Sequence, residues 1–306
     1  MSKKTLGILA LLGATLFWGP GPVITKLGLQ QIPPYSFAFL RFIIAALLIA
    51  PFFFWQGHHR TVSKIDLPKF IMIGLFGSGL NVIFFMTGLT MTTATTSSAI
   101  FATVPLVNAL AAFFLLKESP SVIRILGVIV GLIGSFIVAL GPSFLGSGIG
   151  ISGNILGNLF IVLAVFSWVI YIIVSKELLE KYSPLTLTLI SFGIGALCLL
   201  PLSYYELVHQ PGWYLNLNSL STFLIPYSAI FISVVPFMLY QWGMKQTSAF
   251  EAGLVTYLNP VLAVMIAIPL LGETPTPIFI VGTALILSGV FLASAYELVI
   301  SRYRSK

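Results

Sequence analysis

Trp18–Pro51 reads WGPGPVITKLGLQQIPPYSFAFLRFIIAALLIAP, and the chain writes its framework twice. Trp18, Lys26, Pro34 and Pro51 recur as Trp168, Lys176, Pro184 and Pro201, each 150 positions later. Leu29, Ala46 and Leu47 recur on the same offset as Leu179, Ala196 and Leu197. Past Pro201 the offset becomes 155. Gly88 then pairs with Gly243, Ala94 with Ala249, Pro105 with Pro260, Glu118 with Glu273, Gly127 with Gly282 and Gly134 with Gly289. Five extra residues in one connection account for the slip. A tandem repeat of this length sets the architecture before any local motif does.

The chain has 306 residues, of which 58% are hydrophobic and 8% charged. A soluble domain carries roughly 25% charged residues, and no soluble interior would hide this much apolar surface. The composition is that of a polytopic membrane protein. The net charge of +7 comes from basic residues scattered singly between apolar runs, so it does not point to nucleic acid. The one cysteine, Cys198, lies inside an apolar run and has no intrachain partner. Lys3 and Lys4 ahead of Leu6–Phe17 have the outline of a signal peptide. No small-residue cleavage site follows, however, and the segment has a counterpart in the second copy. It is read as a membrane helix.

Ten hydrophobic segments follow one another at about 6–27, 34–54, 67–89, 94–116, 121–141, 154–176, 184–204, 219–243, 248–271 and 276–300. Each approaches the ~20 residues that cross a hydrocarbon core as helix. The expected fold is all-α, with ten transmembrane helices in two five-helix repeats. The first repeat covers 1–141, an uncharged Gly/Ser-rich linker 142–153, and the second repeat, with a basic tail, 154–306. Thirteen of the fifteen basic residues fall in the even-numbered connections, the segment ends beside them and the two tails, and none in the odd-numbered connections, Lys26 and Arg41 lying within or at the end of segments. By the positive-inside rule both termini are cytoplasmic, in the plasma (inner) membrane. Five helices per repeat make the second repeat run through the bilayer in the opposite sense. Inverted repeats are a plan of secondary transporters, although channels are built this way too.

Leu16-Phe17-Trp18-Gly19, Lys26, Pro33-Pro34 and Phe39-Leu40-Arg41-Phe42 resemble the start of an EamA domain. Asn259-Pro260-Val261-Leu262, Leu271-Gly272-Glu273, Gly282 and Ser288-Gly289-Val290 resemble the end of one. Val104-Pro105-Leu106, Lys117-Glu118, Gly127 and Gly134 repeat that end in the first half. The resemblance spans nearly the whole chain. It implies the drug/metabolite transporter superfamily, with ten helices in two inverted repeats and export of small metabolites in many members. Gly19–Pro22 and Ser191 depart from the pattern, the latter standing where the first copy has Arg41. The family name does not deliver a substrate.

Polar side chains at membrane depth face protein or a water-filled cavity. On that ground Trp18, Arg41, Asn81, Ser97, Asn108, Trp168, Tyr171, Tyr240, Tyr257 and Asn259 are the candidates for a substrate cavity. Helix packing is the competing explanation, above all for the serines and threonines. Pro105 and Pro260 fall mid-run in segments 4 and 9 and are expected to kink them. Pro20 and Pro22 are expected to break segment 1 beside Trp18, with no matching break in segment 6. Catalytic motifs and P-loops are absent, and the three histidines lie in connections, so neither an enzyme, a metal nor a cofactor is indicated.

The chain is therefore read as an alternating-access transporter of small metabolites, working in the exporting direction. A channel or facilitator, and a lipid flippase or scramblase, stay open as alternatives. Arg41 lies roughly 10 Å into segment 2 from its outer end, at 1.5 Å rise per residue. No acidic residue is expected at its depth, whereas Lys26 lies on the same outer side. An anionic or zwitterionic substrate would supply the missing partner. The alternative is a snorkelling or capping arginine. No pattern in the sequence encodes an oligomeric state.

Overall fold

The computed structural model describes residues 2–55, 62–116, 122–144, 154–247, 252, 258–273 and 276–304. Among them the fold is all-helical. Helix α1 runs Lys3–Trp18 and resumes after a break as Gly21–Gly28. Helix α2 is Pro34–Trp55, and α3 is Leu67–Met91, with a π-helical turn at Gly74–Gly79. Helix α4 comes in two pieces, Ala94–Phe101 and Val104–Leu116. Next come α5 (Val122–Phe144), α6 (Ile155–Leu178) and α7 (Pro184–His209). Helix α8 is Ser219–Gln246, with a π-helical turn at Ser228–Val234. Helix α9 is described over Leu258–Leu271, and α10 is Pro277–Arg304. Helices α1, α2, α3, α6, α7 and α8 are long and apolar enough to cross a membrane. Helices α5, α9 and α10 add shorter apolar stretches at Ile125–Val138, Leu258–Leu271 and Pro277–Gly289.

Side chains acting as caps explain where these helices begin. The Ser2, Thr93, Asn154, Ser183 and Asn218 side chains each accept a hydrogen bond from a backbone N–H two or three residues on. Such caps satisfy donors that a helix start leaves orphaned. The breaks fall as proline chemistry dictates. Gly19–Pro20 interrupts α1, while α6 runs unbroken past Trp168. In α4 the outcome differs from the expected kink at Pro105. The helix breaks at Ala102–Thr103, and Pro105 takes the second position of the new helix, where its missing N–H is not needed. Pro260 is the third residue of the described part of α9.

Packing joins one copy to the other: α1 lies on α8, α2 on α7, α3 on α6, α4 on α9 and α5 on α10. Glycines make the closest crossings. A Cβ on Gly88 would stand 2.7 Å from the Gly157 carbonyl oxygen, and a Cβ on Gly243 would stand 2.8 Å from that of Gly7. Gly88 and Gly243 are equivalent in the two copies, as are Gly7 and Gly157, so this is one contact made twice. Small residues let helix backbones approach where lipid offers no hydrophobic drive to bring them together. The outer surface is correspondingly apolar. Leu47, Leu197, Met265 and Phe291 are all exposed, whereas Thr95, Thr96, Ser97 and Ser98 are buried.

Candidate functional site

Both copies contribute to a cavity of about 120 Å³ in the middle of the bundle. One water needs roughly 10–15 Å³ on the same measure, so the space is an order of magnitude larger. The α1 break brings Trp18, Gly21, Pro22 and Thr25 to its wall. Helix α2 adds Arg41 and Phe42, and α3 adds Asn81, Val82 and Phe85. Helix α4 supplies Ser97, Ser98 and Phe101. The second copy supplies Trp168, Ile232, Phe237 and Asn259.

Six of the sequence-derived candidates thus meet at one cavity: Trp18, Arg41, Asn81, Ser97, Trp168 and Asn259. Tyr171 and Tyr240 stand behind the wall. Trp168 stacks on Tyr171 at 4.6 Å between ring centroids, and Trp18 lies 5.1 Å from Tyr240. Asn108 is buried in the second piece of α4 and is not part of the wall. Tyr257 lies outside the described residues. Phe42, Phe85, Phe101 and Phe237 join the wall without having been singled out, because a phenylalanine on an apolar helix carries no sequence signal of which way it faces.

Two tryptophans from equivalent positions form the floor. Their rings meet edge to face, 5.4 Å apart and at 87°. Phe237 packs on both, at 5.3 Å from Trp18 and 5.7 Å from Trp168. The Trp18 indole donates to the Ile232 carbonyl at 3.0 Å. Ile232 belongs to the π-helical turn of α8, where the wider winding upsets the regular carbonyl ladder. Below the tryptophans the Gln241 amide donates to the Tyr171 hydroxyl.

Arg41 is 6% exposed and makes no hydrogen bond or ion pair among the described residues. Its guanidinium carbon sits 5.0 Å from the centroid of the Phe42 ring. A buried cation in this state is costly unless something pairs with it. Asn81 donates its amide to the Ala164 carbonyl at 2.7 Å, which leaves its own oxygen as an acceptor. The Asn259 Oδ1 is buried and has no partner among the described residues. No Asp or Glu lines the cavity among the described residues. No cluster of three His, Cys, Asp or Glu able to hold a metal occurs among them either.

Lys26, expected beside Arg41, is occupied elsewhere. It donates to the Thr92 carbonyl and stands 3.9 Å from Glu273. Glu273 in turn accepts the Ala94 and Thr95 backbone N–H groups at 2.9 and 3.0 Å, at the start of α4. Glu206 does the same for α2, accepting from the Tyr35 and Ser36 N–H groups at 3.0 and 2.6 Å. At the other end of the bundle Lys181 reaches Asp66 at 3.0 Å, and the Tyr182 hydroxyl donates to Asp66 at 2.9 Å. Lys69 pairs with Glu177 beside them. The roles of Glu206 and Glu273 were not legible, because each caps a helix more than 170 positions away.

This is the construction of a multi-pass membrane transporter: an apolar exterior, helices paired across a duplicated chain, and a polar and aromatic cavity where the copies meet. The chain belongs to the EamA-like transporter family of the drug/metabolite superfamily, whose pattern matches residues 5–140 and again 155–295. It is 28% identical over 291 residues to an uncharacterized transporter of Clostridium kluyveri, covering 92% of this chain and 91% of that one. It is 27% identical over 290 residues to a WAT1-related chloroplastic protein of Arabidopsis thaliana, covering 94% of this chain and 69% of that one. One solved crystal structure shares the fold with a TM-score of 0.66 at 20% identity, over 95% of this chain and 96% of that one.

Proposed function

We propose that the protein exports a small metabolite across the plasma membrane by alternating access, with ten helices in two inverted repeats and both termini in the cytoplasm. The observation that carries this reading is the cavity floor, where Trp18 and Trp168 meet from equivalent positions of the two copies. Such a floor divides one access path from the other, and inverted repeats exchange the paths around a fixed midplane site. The thirteen-to-none distribution of basic residues supports the orientation. In that orientation the cavity residues of α1, α2 and α4 lie toward the outer helix ends, which supports reading the state as outward-facing. Export is the direction proposed, in keeping with the export of small metabolites that the family resemblance implies for many members. Arg41 is the side chain that receives an acidic group of the substrate.

The test is counterflow in proteoliposomes. Vesicles loaded with unlabelled substrate should transiently accumulate labelled substrate above equilibrium, with saturation. Linear flux without counterflow means a channel. Reporters fused in the 142–153 linker should read outside and reporters after Lys306 inside; the opposite signals would invert the orientation.

A further inference from the structure

Among the described residues the cavity contains one buried charge and no counter-charge, and this narrows its occupant. Arg41 is cationic at any physiological pH. Among the described residues the wall offers it no carboxylate, and its Nε has no partner. An occupant that neutralises the site therefore carries one negative charge. A zwitterion would place an ammonium in a wall that already holds an unbalanced cation, leaving the same net charge buried. The neutral polar atoms add a second condition. Asn259 Oδ1 is an orphaned acceptor, and Asn81 offers its own oxygen once its amide is bound to Ala164. Both call for a donor on the ligand, and a hydroxyl satisfies them without adding charge. The third condition is apolar. The rings of Trp18, Phe42, Phe85, Phe101, Trp168 and Phe237 face the same space, and they stack on or edge against a flat body.

We infer that the cavity takes a monoanionic organic acid with an apolar, ring-sized body and a neutral hydrogen-bond donor, its carboxylate on Arg41 and its donor on Asn259. This rests on the transport reading only for its biological meaning. The binding site itself is tested without transport.

The purified full chain in detergent is titrated with phenyllactate, phenylpropionate, phenylalanine and phenylpropanol, followed by tryptophan fluorescence. Phenyllactate should bind most tightly and phenylpropionate next. Phenylalanine and phenylpropanol should be weaker than phenyllactate by about tenfold or more, the scale of a charge-assisted hydrogen bond. Arg41→Gln should bring both acids down to the affinity of phenylpropanol. Arg41→Lys should keep the order of ligands at lower affinity, and it serves should the glutamine variant fail to fold. Asn259→Leu should erase the advantage of phenyllactate over phenylpropionate. Phenylalanine binding as tightly as phenyllactate, phenylpropanol matching phenylpropionate, or no binding of any acid would each overturn the inference. Acid binding without counterflow would sink the transport reading and leave this one standing. Counterflow of some other solute without acid binding would do the reverse.

Discussion

Trp18 and Trp168 hold the same place in the two copies and touch each other, yet their surroundings differ. Trp18 ends a helix that breaks at Gly19–Pro20, and its indole is tied to the Ile232 carbonyl. Trp168 sits in an unbroken helix, stacks on Tyr171, and has no hydrogen bond among the described residues. The π-helical turns they face are themselves equivalent, since Gly79 and Val234, the last residues of each, stand on the 155 offset. Duplication thus supplies the frame, and local chemistry makes the site lopsided. Gly77, the counterpart of Ile232, lies so close to the Tyr171 ring that a Cβ there would overlap it. The second tryptophan meets a ring where the first meets a carbonyl.

The sharpest asymmetry is Arg41 against Ser191. Ser191 is absorbed into packing, 2.8 Å from the Ser78 hydroxyl and 3.2 Å from the Ile73 carbonyl. Arg41→Ala should nearly abolish transport of an acidic substrate at unchanged expression, and Arg41→Lys should weaken it, because the planar fork that grips a carboxylate is lost. Ser191→Ala should leave transport intact and cost about 1 kcal/mol of stability. Equal transport in the three variants would make Arg41 an anchor and reduce the asymmetry to packing.

Where the copies agree, matched substitutions should agree too. Gly88→Ala pushes a Cβ at the Gly157 carbonyl, and Gly243→Ala does so at the Gly7 carbonyl. Each should lower thermal stability by about 1–3 kcal/mol, the range for overpacking, and by similar amounts. A large loss in one and none in the other would show that the two crossings are not equivalent. A smaller difference is expected at the floor. Trp18→Phe removes the donor to Ile232 and should cost about 1 kcal/mol more than Trp168→Phe, which gives up no hydrogen bond. Equal melting shifts would deny the Ile232 contact its part.

Much of this was legible because it is periodic. The repeat offsets, the apolar runs and the proline break in α1 follow from residue type and spacing alone. What escaped depends on contacts across the chain. Glu273 caps α4 and draws Lys26 away from the cavity. The Ala102–Thr103 break moved the expected Pro105 kink to a helix start. Asn108, Tyr171 and Tyr240 are polar at membrane depth, as the wall residues are, but helix rotation leaves them outside the cavity wall. Periodicity within one helix does not reveal its rotation against four others.

The two ends of the bundle make the last comparison. At one end, carboxylates accept backbone N–H groups of helix starts, as Glu206 and Glu273 do. At the other, a carboxylate meets side chains, and these titrate with it. The Lys181 ammonium, helped by the Tyr182 hydroxyl and opposed by burial, holds the Asp66 carboxyl below its ordinary value. Asp66 raises Lys181 in return. The signs fix the window. A depressed carboxyl stabilises the fold fully above its unfolded value of about 3.9, and that contribution fades as pH falls through the lower folded value. A raised lysine stabilises fully below about 10.4, and its contribution fades as pH rises through the higher folded value. Between roughly pH 4 and 10 the clasp therefore contributes a constant amount, which is small because Lys181 is exposed to solvent and salt. Asp66→Asn should lower the melting temperature slightly and evenly across that plateau. The gap to the parent protein should close in acid, where Asp66 is protonated in both the folded and unfolded chain, and narrow again in strong base, where Lys181 loses its charge. Melting curves of the two proteins in parallel buffers measure this directly. A gap that instead changed between about pH 6 and 8, a range in which neither Asp66 nor Lys181 titrates, would assign the pH response of this end to another group.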